Sequence, residues 1–350
     1  MQDATKCRSG IAMAKWLWLA LAVAAPLTAA AQAATSAPAV DTAQGPIVDL
    51  DAMVVRGVQP GPGLWKVSRD GHVLWILGTI APLPAGITWQ ADEVEQAIAQ
   101  SQQVLASPSV SIDADVGFFG KLALVPSAMK AMKNEDGARL QDVLPPDLYA
   151  RWLPLKQRYL GRDAGVEKKR PMLAAGELYQ AAIKRSGLSR KPVVWPVVQA
   201  AARRQGLKPA STTLTFKVSD PKDALREFRA GGMDDRACFA SLLNAVQNDL
   251  PTMVERANAW AVGDIEALAR MPREDPATAC SQAISSTEFA RRRGMDRLRQ
   301  RMQAHWLDIA RRALRENTGT FAVLPLSDLL AADGTLAVLR AEGYEVTAPE

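Results

Sequence analysis

Histidine is almost missing from this chain, with His72 and His305 the only two among 350 residues. The shortage bears on any hydrolytic or metal-assisted mechanism, because imidazole is the usual general base near neutral pH and a common metal ligand. Cysteine is equally sparse, at three residues. Cys238 and Cys280 have neither a neighbouring histidine nor a Cys-x-x-Cys partner to mark a reactive thiol. A phosphate loop and a dinucleotide fingerprint are both absent. So is the Gly-x-Ser-x-Gly elbow that would present a nucleophilic serine. Past the N-terminus no apolar run approaches about 20 residues, so no later segment reads as a membrane span.

What is present begins with an export signal. Lys6, Arg8 and Lys15 supply a basic region, residues 16–25 an apolar one, and Ala31-Gln32-Ala33 a small-x-small cleavage site. Residues 1–33 therefore read as a signal peptide, with Met13 as an alternative start and an uncleaved anchor as the rival reading. Cleavage near Ala33 would leave a periplasmic or secreted chain. It removes three of 42 basic and one of 37 acidic residues, so the net charge falls from +5 to +3. That excess is too small to argue for nucleic acid. Residues 34–46 are small, proline-containing and nearly uncharged, a flexible lead-in. Only Cys238 and Cys280 would survive cleavage, and in an exported chain such a pair suggests a disulfide, with a free thiol as the alternative.

The remaining chain, 47–350, reads as a single α/β domain. A strand is expected over 47–55. A hairpin follows, with apolar residues from Leu64 to Val67 and from Val73 to Leu77 on either side of Asp70-Gly71. A short helix over 91–100 and a strand over 103–106 complete a βαβ start. From about 116 to 316 helical spacing dominates, interrupted by one strand over 212–218. Ser285-x-x-Glu288 predicts a capping box for one long helix running to Asn317. A strand over 320–324, a helix over 329–341 and a strand over 344–346 close the chain. The expected architecture is a mixed β-sheet built from N- and C-terminal strands, with a large helical insertion.

The hairpin runs into Leu77-Gly78-Thr79-Ile80-Ala81, and the far end carries Thr320-Phe321-Ala322-Val323 and then Gly334-Thr335 through Gly343-Tyr344. Together these phrases resemble the TraB/GumN family, whose first motif ends Gly-Thr-x-His. The resemblance implies a divalent-metal hydrolase site related to the Tiki proteases, formed by Gly78, Thr79 and the positions of Ala81, Ser107 and Asp328. The usual histidine is Ala81. The second Gly-x-x-His falls on Pro325-Leu326-Ser327-Asp328, the usual carboxylate on Ser107, and an acidic-Arg-Asn phrase on Arg301-Met302-Gln303. Water activation needs several converging N, O or S ligands, which alanine and serine do not supply. The expectation is thus an envelope binding or accessory protein with a degenerate site and no bound cofactor, its partner an envelope protein or peptide. The alternative is a peptidase-like hydrolase rebuilt around Asp328 and nearby carboxylates such as Asp113 and Asp115.

Other candidates have plain structural readings. His72 begins a strand beside a turn, His305 lies in an arginine-rich helix, and Asp113 and Asp115 suit a solvated loop or a helix cap. A triad through Ser107 or Ser327 would need one of the two stray histidines to arrive beside it. The arginines from Arg291 to Arg315 suit either the solvated face of a helix or weak contact with an anionic membrane surface.

Overall fold

Asp70 and Gly71 adopt φ values of 52° and 80°, the two positive angles that a type I′ hairpin turn requires. In this computed structural model, which describes residues 54–349 except 115, 219, 231–232 and 272–275, a short β1 (Val58–Gln59) precedes that hairpin. The turn joins β2 (Leu64–Arg69) to β3 (His72–Thr79). The expected signal peptide and lead-in lie outside the described residues. So does most of the strand expected over 47–55, and Val54 and Val55 belong to no strand.

After β3 come β4 (Leu83–Pro84), β5 (Thr88–Trp89), α1 (Asp92–Ala99) and β6 (Gln103–Leu105). The chain then leaves the sheet through β7 (Ser109–Ala114), α2 (Phe118–Ala131), α3 (Leu140–Val143), α4 (Pro146–Tyr159) and α5 (Pro171–Arg185). It continues through β8 (Leu188–Ser189), α6 (Val194–Arg204), β9 (Thr213–Val218), α7 (Pro221–Ala230), α8 (Arg236–Asn244) and α9 (Leu250–Val262). Next are α10 (Ile265–Arg270), α11 (Ala277–Ser285), α12 (Glu288–Arg292) and α13 (Leu298–Glu316). It returns as β10 (Gly319–Pro325), α14 (Leu326–Leu329), α15 (Thr335–Ala341) and β11 (Glu345–Thr347).

The central sheet has the order β11-β2-β3-β10-β6. β10 is parallel to both β3 and β6, while β2 is antiparallel to β3 and to β11, so the sheet is mixed. The C-terminal strand β10 therefore lies between two N-terminal strands. Its residues from Gly319 to Leu324 are all buried, as expected for a central strand covered on both faces. Leu77, Leu105, Phe321 and Leu324 are fully enclosed there, each stabilising the fold by roughly 1.5–3 kcal/mol. No helix among the described residues is long and apolar enough to cross a membrane.

Three expected elements take a different form. The long helix over 285–317 is two helices, α12 and α13, separated at Gly294, whose φ is 63°. The cap of α12 is Thr287, accepting from Ala290 N–H at 3.1 Å, whereas the Ser285 hydroxyl donates back to Gln282 O. The helix over 329–341 is likewise split into α14 and α15. Asp113 is neither loop nor cap but part of β7, paired with Lys217 of β9 in a separate two-stranded sheet. Asp115 lies outside the described residues.

Cys238 of α8 and Cys280 of α11 are joined, with an S–S distance of 2.04 Å. A second tie in the helical region is Asp235, buried just before α8. Its carboxylate accepts the Met172 N–H at 3.0 Å, in the first turn of α5. Burial raises the Asp235 pKa, opposed by the Met172 hydrogen bond and the Arg170 charge. A carboxyl raised in the folded state stabilises the protein when protonated. That contribution is lost as pH rises from the ordinary aspartate value through the raised folded one. Thermal unfolding of wild type and Asp235→Asn should therefore show a stability difference that moves against wild type as pH rises across this window. A pH-independent difference would refute the assignment.

Candidate functional site

Parallel pairing brings the carboxyl ends of β3, β10 and β6 side by side, with Thr79 opposite Pro325 and Leu105 opposite Ala322. In α/β sheets the space beyond such strand ends is where ligands usually bind. The phrases Gly78-Thr79-Ile80-Ala81, Ala106-Ser107 and Pro325-Leu326-Ser327, scattered over some 250 positions of sequence, meet there.

Each strand end is fixed by a specific contact. Gly78 is held against its neighbours so tightly that a Cβ would lie 2.8 Å from the Trp65 ring and 3.0 Å from Leu326 Cδ1. Its carbonyl accepts the indole N–H of buried Trp260, on α9, at 2.9 Å. The Thr79 hydroxyl donates to Leu324 O at 3.2 Å and the Ser107 hydroxyl to Val323 O at 3.0 Å, so both lean on β10. Ala106 O receives the Trp306 indole N–H at 3.0 Å and the Thr212 hydroxyl at 3.1 Å. A central strand flanked by two hydroxyl side chains, and tied to the insertion by two tryptophans, gives a rigid floor.

Over that floor lies a cleft of about 750 Å³, within the size range of small-molecule and peptide sites. Thr79, Ala81, Ser107 and Ser327 all line it. The opposite wall comes from the insertion and includes Arg190, Lys191, Trp195, Thr252 and Arg256. Nothing in the local sequence marks Trp195, Thr252 or Arg256. The only available signal is the basic pair Arg190-Lys191 in the loop before α6, and it becomes a cleft feature only once β4 and β8 pair across it.

Asp328 does not join this group. Its carboxylate accepts Thr335 N–H at 3.3 Å, at the first residue of α15. The turn between them is closed so sharply that a Cβ on Gly334 would sit 1.8 Å from Asp328 O. The carboxylate thus acts as an N-terminal acceptor for a helix, a role that aspartate fills well. His72 is also structural, its Nδ1 donating to Asn317 O at 2.6 Å and pinning the hairpin to the segment before β10. His305 projects from α13 and does not line the cleft. Among the described residues, no three His, Cys, Asp or Glu side chains gather in a way that could hold a metal ion.

A family model covers residues 63–348, the whole of this sheet with its insertion. The chain belongs to the TraB/PrgY/gumN family. No curated protein and no solved structure matches it. The divalent metal implied by that membership does not fit the residues present. The positions that the resemblance assigns to it hold an alanine methyl with no donor atom, a serine hydroxyl, and a carboxylate that does not line the cleft and accepts Thr335 N–H instead.

Several arginines of the Arg291–Arg315 segment pair within the fold. Arg291 pairs with Glu288, Arg292 with Glu288 and Glu227, and Arg293 with Glu227. Arg311 pairs with Asp308 and Glu342. The segment is two helices, with these four arginines beside carboxylates.

Proposed function

We propose that this TraB/PrgY/gumN member is an exported, non-catalytic binding or accessory protein of the cell envelope. Its family cleft has kept its form and lost its metal-ligand set. The observation that carries this reading is the contrast at the strand ends. The floor is held by Thr79, Ser107, Trp260 and Trp306, while the ligand positions are Ala81, Ser107 and an Asp328 occupied as a helix cap. A metallohydrolase needs an open coordination position on a firmly held cation, and these positions bring neither an imidazole nor a carboxylate to the cleft. The disulfide agrees with export, since such bridges persist in oxidising compartments.

The test combines metal analysis with a peptidase assay. Purified protein incubated with zinc or manganese and then desalted should retain no stoichiometric metal, and a mixed peptide pool should survive in the presence of either ion. Asp328→Ala should cost about 1 kcal/mol of stability, the usual value of a lost helix cap, and leave the peptide pool intact as before. Stoichiometric metal with cleavage that disappears in Asp328→Ala would instead establish a rebuilt hydrolase.

A further inference from the structure

Among its described lining residues the cleft carries more positive than negative charge, and the excess lies on Arg190 and Lys191. Among the described residues three cations, Arg190, Lys191 and Arg256, line it against one carboxylate, Asp249. Arg256 and Asp249 are engaged within the fold. Arg190 and Lys191 are exposed in the loop between β8 and α6, and among the described residues no side chain or carbonyl holds either cationic head. Adjacent uncompensated cations on the edge of a partly apolar cleft suit an anionic terminus, with arginine able to grip a carboxylate through two parallel N–H bonds.

Hydrogen-bonding groups along the wall say what the rest of the ligand looks like. Among the described residues, the hydroxyls of Thr252 and Ser327 have no intramolecular partner, although both line the cleft. Thr79 and Ser107 each spend their one proton on β10 and keep acceptor capacity. Four hydroxyls with spare capacity, interspersed with Ile80, Pro82 and Trp195, match a chain that alternates amides with apolar side chains. A bare alkyl anion would leave those hydroxyls unanswered, at the cost that unsatisfied polar groups carry in a desolvated site.

We infer that the cleft holds the C-terminal end of a peptide, its free carboxylate on Arg190 and Lys191 and its last apolar side chains against the cleft walls. This deepens the binding reading above and rests on it. The recognition is of the terminus, so it distinguishes a peptide end from an internal segment of the same sequence.

The probe is a fluorescein-labelled hexapeptide pool with apolar residues at its last two positions, made once as the free acid and once as the C-terminal amide. Anisotropy titrations with the purified protein, in EDTA, should show the acid binding about tenfold tighter or better, as hydrogen bonds to a charged group imply. The preference should fall close to unity in the double variant Arg190→Gln, Lys191→Gln, and shrink with added salt. Equal affinity for acid and amide would overturn the inference, as would a preference that survives the double variant. Decanoate displacing the peptide as well as the free-acid pool does would overturn the peptide assignment. Mass spectra taken after adding zinc keep the two readings apart. Shortened peptides would sink the non-catalytic reading, while the acid-to-amide ratio measured in EDTA still decides the carboxylate site.

Discussion

Reduction of the Cys238–Cys280 bridge is expected to lower the free energy of unfolding by about 4 kcal/mol. The two cysteines are separated by 42 positions, and in the chain-entropy model a loop of that length gives roughly this value. The effect acts mainly on the unfolded chain, which regains the freedom that the cross-link denied it. Its functional reach comes from what lies inside the loop. The segment contains α9, and with it Trp260, which holds Gly78 O, and Thr252 and Arg256 of the cleft wall. Urea unfolding with and without a phosphine reductant measures the loss, and the Cys238→Ala, Cys280→Ala double variant should reproduce it. Because Cys238 is fully buried, the alanine variant should lose somewhat more than the reduced protein. A loss below about 1 kcal/mol would mean that the bridge closes a loop already restricted in the unfolded state.

How much of this was legible beforehand depended on how local the determinant was. The hairpin could be read because its signal is a two-residue turn between apolar runs, and the positive φ angles of Asp70 and Gly71 supply the reason. The outer frame of the sheet was legible for the same reason at both ends of the chain, and so was the disulfide, since the expected cleavage before residue 34 would leave one possible pairing. The helix breaks were not. At Gly294 and Gly334 the apolar stripe continues across the break, so periodicity predicts one helix where a close turn makes two. Asp328 shows a second limit. An aspartate three residues beyond a strand has one appearance in sequence whether it ligates a cation or caps a helix, and only its bond to Thr335 N–H separates them. The far wall of the cleft was the least readable part. Arg190, Lys191 and Thr252 share a cleft with the motif residues only once β8 pairs with β4 and α9 packs against β4, which no short-range pattern encodes.

Lys156→Met should cost about 3–5 kcal/mol, while Lys156→Met combined with Glu167→Gln should recover most of that loss. Glu167 is only 1 % exposed, and one of its oxygens accepts both the Trp152 indole N–H at 3.0 Å and the Lys156 ammonium at 3.1 Å. Its other oxygen is buried without a hydrogen-bond partner among the described residues, and the nearby Tyr149 hydroxyl, whose pKa the carboxylate helps to raise, brings no positive charge, so Lys156 is the cation that compensates it. Removing that cation leaves an uncompensated buried charge, the situation that makes broken internal ion pairs so costly. Removing both charges takes away the penalty together with the attraction, and glutamine keeps an amide oxygen for the Trp152 indole. The lower end of the range is the better expectation, because the Lys156 side chain is 16 % exposed and water can reach part of it. Chemical denaturation of the two single variants and the double variant closes the cycle. A Lys156→Met loss below about 1 kcal/mol, or a double variant no more stable than that single one, would show that the pair is not what anchors α4 to the segment before α5. Since Trp152 and Lys156 both belong to α4 and Glu167 does not, the cycle also measures how firmly the helical insertion is tied together. The cleft wall depends on that cohesion, because the sheet supplies only its floor.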